Sequence, residues 1–216
     1  MNKETKRDLY VGIGFIVVFI IWTIAVKFID VLPIGPNGSN VGFATLNGCV
    51  NAFIGTCMPL YVITDWLGFV PICFAIGFGV LGLMQWCKRK KLLKVDYDLL
   101  VLGVFFLIVM VVYFLFEIIV INYRPVLIDG YLEVSYPSST TMLVLCVMPT
   151  TIMQLSSRIK SSIIRKIFSL LFGCFTIFMV IGRLISGVHW FSDIIGGALL
   201  SVGLVNIYRF VVNFKK

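Results

Sequence analysis

Apolar residues fill this chain in long blocks separated by short polar breaks. A helix needs about 20 predominantly apolar residues to cross the hydrocarbon of a bilayer. Six stretches approach or reach that length: 9–29, 66–86, 99–121, 139–155, 167–185 and 191–212. Trp66 and Trp86 stand at the two ends of the second, where amphipathic rings anchor a span to the interfaces. The fourth is short, and the third carries one anomaly, Glu117. The pattern predicts an all-α fold, a polytopic membrane helical bundle of six transmembrane helices. A single membrane domain, 1–216, accounts for the chain. Within it, 1–65 supplies the first span plus an outer interfacial segment, and 66–216 supplies the core.

The segment after the first span opens on a turn-rich piece, PIGPNGSN. It continues as VGFATLNGCVNAFIG, apolar but broken by Asn47, Asn51 and glycines, which predicts a helix lying in the outer interface. The first span is too long for the apolar part of a signal peptide, and no small-x-small cleavage site follows it, so it reads as a retained anchor.

Composition agrees with this pattern. The chain is 60% hydrophobic and 13% charged, against about 25% charged in soluble domains. Its formal net charge of +8 is a matter of topology. Lys3, Lys6 and Arg7 precede the first span; Lys88, Arg89, Lys90, Lys91 and Lys94 follow the second; Arg158, Lys160, Arg165 and Lys166 join the fourth to the fifth; Arg209, Lys215 and Lys216 close the chain. All fall on one side, and only Lys27, Arg124 and Arg183 fall on the other. The positive-inside rule therefore puts both termini in the cytoplasm, the expectation being a bacterial plasma membrane. No nucleic-acid partner is needed to explain the charge. The six cysteines form no C-x-x-C or Cys/His group, so no structural zinc site is expected. Buried thiols acting as small hydrophobes are the favoured reading, with a Cys49–Cys57 pair as the lesser one.

The polar residues of the outer face then stand out. NYRP, 122–125, ends the third span and contains Arg124; GR, 182–183, ends the fifth and contains Arg183; SYPSSTT, 135–141, opens the fourth. Guanidinium groups present a donor fork suited to phosphate oxygens. Ser138, Ser139 and Thr140 sit at a helix N-terminus, where free N–H groups and the helix dipole favour an anion. His189, the chain's one histidine, stands four residues before Asp193, about one helical turn away. A carboxylate there holds one ring nitrogen and aims the other at an electrophile. Each piece also has a plainer reading: His189 as an interfacial aromatic, the arginines as snorkelling anchors, the hydroxyl run as a helix cap. Gly196, Gly197, Ala198, Ser201 and Gly203 read as a close-packing helix face, either within one chain or between two copies in a homodimer.

These residues resemble the type 2 phosphatidic acid phosphatase (PAP2) family, which shares its core with vanadium haloperoxidases. The family shows Lys-x6-Arg-Pro, then Pro-Ser-Gly-His, then Ser-Arg-x5-His-x3-Asp. Here the third block keeps Arg183, His189 and Asp193 at the same spacing, with Gly182 in place of the leading Ser; the first keeps Arg124 and Pro125, and the second Pro137 and Ser138. The resemblance spans about 66 to 212 and implies a hydrolase of lipid phosphates acting at the outer face. His189 would be the nucleophile that forms a phosphohistidine, and Asp193 would orient it. Arg124, Arg183 and the Ser138–Ser139 backbone would stabilise the phosphoryl oxygens. No metal or other cofactor is implied.

Two of the departures from the family pattern matter. Glu117 stands where the family has Lys, and Thr140 where it has the histidine that protonates the leaving alkoxide. Losing a general acid costs about 10²- to 10⁴-fold in rate. Replacing a cation by a carboxylate near a phosphate reverses a term of about 4 kcal/mol at 4 Å and moderate dielectric. Glu117 is therefore expected either to pair with an arginine such as Arg124 or to be a protonated substitute acid. Three accounts follow. The substrate has a good leaving group, as a polyprenyl diphosphate does; or Glu117 replaces the acid; or hydrolysis is lost and the protein binds or transports a phosphate-bearing lipid.

Overall fold

The computed structural model describes residues 3–215; Lys216, counted above among the cytoplasmic charges, lies outside them. Eight α-helices follow one another: α1 (Lys3–Phe28), α2 (Ala44–Ile54), α3 (Met58–Leu67), α4 (Phe69–Arg89), α5 (Tyr97–Ile118), α6 (Ser139–Arg158), α7 (Ser162–Ile185) and α8 (Phe191–Phe214). Six helical segments are long and apolar enough to cross a membrane, with α3 and α4 running on as one, Met58–Arg89. The fold is thus the expected all-α bundle. Termini and odd-numbered crossings follow from this count. The start of α1 and the end of α8 lie at one end of the bundle, and the connections α5–α6 and α7–α8 lie at the other.

The second span differs from its expected limits. It begins at Met58 rather than at 66, with Pro59 in its first turn. A proline there costs nothing, because the first-turn N–H has no intrahelical partner. The sequence leaves residues up to 65 in the outer segment, but the structure gives Thr64 and Asp65 a partner on α7 and keeps them inside the helix. In the same way α7 starts at Ser162, capped by the Ser161 hydroxyl, which accepts the Ile164 N–H at 3.4 Å.

α6 is the central helix: 56% of its apolar window is buried, against 17% for α1 and α7. This explains its low hydropathy. A helix surrounded by protein can carry Thr141, Thr150, Thr151 and Gln154, because neighbours rather than lipid meet them. α1 lies along α8, where Gly12 and Gly203 let the backbones approach. The glycine face of α8 is therefore used within the chain. α2 is the helix expected beside the interface, yet its Asn47 is buried and donates to the Gly42 carbonyl and the Ser192 hydroxyl. The cysteines depart from expectation: all six are free, and only Cys146 is buried, because the others face outward from the bundle.

Candidate active site

The chain turns into α8 through a tight local network. Trp190 is the N-cap, and the carboxylate of Asp193, three residues on, accepts its backbone N–H at 2.9 Å. A carboxylate in this first turn also meets the positive end of the helix dipole. Asp193 is fully buried. Its other oxygen accepts from Ser192 Oγ at 3.3 Å and, more weakly, from Asn122 Nδ2 at 3.5 Å. The Trp190 indole donates to the Tyr123 carbonyl at 2.7 Å, which ties the α5–α6 connection to the base of α8.

His189 stands just before this cap and is 3% exposed. Its Nδ1 is 3.9 Å from Asp193 Oδ2, too far for a hydrogen bond, so the direct His–Asp contact expected from the spacing is not made. The reason is local: α8 begins at Phe191, so His189 is outside the helix and the two residues do not stack one turn apart. Ser135 fills the gap. Its Oγ donates a short hydrogen bond to Asp193 Oδ2 and lies 3.0 Å from His189 Nδ1. A hydroxyl has one proton, and a carboxylate only accepts. The serine proton therefore goes to Asp193, and the serine oxygen accepts from Nδ1–H. This leaves the lone pair on Nε2, which has no hydrogen-bond partner among the described residues. Burial, then Arg124 and Arg183, hold the imidazole well below its usual pKa, so the ring is neutral at pH 7.

Nε2 belongs to a ring that lines a cavity of about 450 Å³, together with Glu117, Arg124, Glu133, Ser135 and Ser139. Arg124 is nearly buried and has Nη1 unpartnered among the described residues. Its Nε lies 3.0 Å from Glu133 Oε2, an ion contact without hydrogen-bond alignment. The expected Glu117–Arg124 pair is thus replaced by Arg124–Glu133, because the two residues face each other across the turn that brings Arg124 N to Glu133 O at 3.0 Å. Glu117 lines the cavity with no ion pair among the described residues.

Arg183 is placed differently from its expected role. It is 1% exposed and is not in the cavity wall. Its Nη2 donates to Thr140 Oγ1 at 2.7 Å and to Asp65 at 3.1 Å, and its Nη1 reaches Thr64 Oγ1 at 3.4 Å. Both guanidiniums flank one ring: Tyr61 lies 5.0 Å from Arg183 and 5.8 Å from Arg124. Arg183 thus lies behind the wall, while Arg124 is part of it. Ser138 is also committed elsewhere. Its hydroxyl caps α6 by accepting Thr141 N–H, and its own N–H donates to the Asp193 carbonyl at 3.1 Å, so that amide is unavailable to an anion. Ser139 remains in the cavity wall at the first turn of α6.

A family model for the PAP2 superfamily matches residues 99–216, more than half of the chain. The chain belongs to the PAP2 superfamily. Its fold is also that of a solved crystal structure, a transmembrane PAP2-type phosphatidylglycerolphosphate phosphatase from Bacillus subtilis. The TM-score is 0.69 and the identity 17%, over 96% of this chain and 98% of that one. A search of curated proteins found no match. This is therefore an integral-membrane PAP2 protein with six spanning helices.

Two departures of this PAP2 protein from the family blocks acquire physical reasons. Thr140 holds Arg183. Gly182 faces α3, where a Cβ would stand 2.8 Å from the Thr64 methyl. The sequence reading missed Ser135, Glu133, Tyr61 and Asp65. Ser135 lay inside the quoted SYPSSTT, and Glu133 and Asp65 were carboxylates on a face poor in cations. That scarcity was the available signal; Tyr61 had none.

Proposed function

We propose that this PAP2 protein hydrolyses a membrane lipid phosphate or diphosphate through a phosphohistidine on His189. The supporting observation is the state of one ring: Nδ1 held by Ser135, Nε2 without a protein partner among the described residues, and the residue itself in the wall of a cavity that Arg124 also lines. The Nε2 lone pair attacks phosphorus, and the bond from phosphorus to the leaving oxygen breaks with its electron pair on that oxygen. The imidazole, now phosphorylated on Nε2 and still protonated on Nδ1, is a cation that Ser135 and Asp193 accommodate. Water then attacks phosphorus, the P–N bond breaks, and the neutral ring returns. Arg124 Nη1 and the N–H groups at the start of α6 meet the phosphoryl oxygens.

Substrate class follows from the surroundings. An apolar groove of about 560 Å³ between α4, α5 and α6 shares Tyr113, Ser139 and Met142 with the polar cavity, which suits a lipid whose chain stays in the bilayer. With Thr140 bound to Arg183, a leaving group of low proton affinity, such as the phosphate of a polyprenyl diphosphate, needs least help. The cationic loops at the other end of the bundle support a site on the extracytoplasmic face.

The test is phosphate release by purified protein in detergent. A lipid diphosphate should be turned over faster than phosphatidic acid, and His189→Ala should lower the rate at least about 10³-fold. An acid-labile, base-stable phosphoenzyme should be trapped. Turnover that survives His189→Ala overturns the proposal. A second reading, lipid binding or transport without turnover, is favoured by one observation: both η nitrogens of Arg183 already have protein partners. Lipid binding that needs Arg124, with no turnover of either substrate, would select it.

A further inference from the structure

The charges in the cavity wall do not match a purely anionic ligand. Arg124 is its one cation among the described residues, and Glu117 and Glu133 are two carboxylates. His189 is neutral at pH 7 because its pKa is depressed. Arg183, the next cation inward, is balanced by Asp65 at 3.1 Å and lies outside the wall. The wall therefore carries an excess of negative charge. A phosphomonoester itself brings about 1.5 to 2 negative charges near neutral pH.

Glu117 sharpens the mismatch. It sits in the last turn of α5, where the helix dipole repels a carboxylate, and no described cation pairs with it. Glu133 lies within 3.0 Å of Arg124, so a phosphoryl group received by the free Nη1 comes to rest beside a carboxylate. The rings of Tyr113 and Phe116 complete this side of the wall, and aromatic faces also attract cations. His189, whose Nε2 has no hydrogen-bond partner among the described residues, belongs to the same wall.

We infer that the substrate is zwitterionic: a lipid phosphate with an amino group close to the phosphoryl group, the phosphate on Arg124 and the ammonium between Glu117 and Glu133. The inference rests on the phosphoryl-lipid reading above and narrows it. The ammonium offsets the excess of wall carboxylate and gives Glu117 the counter-ion that the protein does not supply. It also assigns a role to the carboxylate at the family's lysine position: it selects among phosphate lipids by their second charge.

The experiment uses two non-hydrolysable probes of equal chain length, a long-chain 2-aminoalkyl phosphonate and its N-acetylated counterpart, titrated into full-length protein in detergent at pH 7. The free amine should bind at least about tenfold tighter. Glu117→Gln and Glu133→Gln should each shrink that ratio, mainly by improving binding of the acetylated probe. Elution as a monodisperse peak checks that each isosteric variant is folded. Equal binding of the two probes, or a ratio unchanged in both variants, overturns the zwitterion assignment and leaves the phosphoryl site standing. No binding of either probe overturns both. Loss of turnover alone, with the binding preference intact, counts against hydrolysis and for the assignment.

Discussion

At the end of the bundle that holds the termini, Arg89 meets Asp96 at 2.8 Å with the side chains 41% and 40% exposed. At the other end Arg183 meets Asp65 at 3.1 Å, and there the guanidinium is enclosed while the carboxylate is 54% exposed. The first pair is solvated on both sides. The second has lost the water around one partner only. An exposed pair contributes about 0 to 1 kcal/mol, whereas a buried charge without its partner is strongly destabilising. The lesson is that two pairs of the same residue types differ in worth because only one of them encloses its cation.

This contrast can be broken in graded steps. Asp65→Ala should cost the most, about 3 kcal/mol of thermal stability in detergent, because it strands the enclosed Arg183 charge. If it unfolds no more readily than the parent, Thr64 and Thr140 suffice to hold that guanidinium. Ser135→Ala should come next. With Asp193 too far to replace it, His189 loses its tautomer lock, and kcat should fall about 10- to 100-fold with KM little changed. Ser135→Thr, which keeps the hydroxyl, should recover part of the loss; a purely structural serine would show no such rescue in kcat.

Arg124→Gln tests the field at the ring through its sign. Burial and then Arg124 depress the His189 pKa, so removing this cation moves that pKa up towards the ordinary value. The acidic limb of kcat/KM marks loss of the neutral imidazole in free enzyme and should therefore move to higher pH. A limb that stays put would mean that burial alone sets the titration. Smallest of all, Asp96→Ala at the opposite end should change stability by less than about 1 kcal/mol and leave activity alone, as thermal unfolding and an assay would show.

The spans were legible because hydrophobic length is a local property. The limit that slipped most, the start of the second span, involves polar residues, Thr64 and Asp65, whose partner Arg183 lies on α7. In the site, the spacing of Arg183, His189 and Asp193 was readable, and so was the placement of Arg124 at the same end. The bridge through Ser135 was not, since it depends on how the α5–α6 connection docks against the cap of α8. Nor was the partner of Arg124, because the turn that sets Glu133 opposite it leaves no periodic trace.

Gly182 carries a lesson for anyone who would repair this chain toward its relatives. The Thr64 hydroxyl is fastened to the carbonyls of Leu60 and Tyr61 at 2.9 and 3.0 Å, so its methyl has no easy way to swing clear. Reinstating a serine at 182 would lever the two helices apart unless position 64 were trimmed in the same clone. The bare position and the threonine facing it fit each other as a unit, and substitution one letter at a time would mistake a fitted joint for a defect.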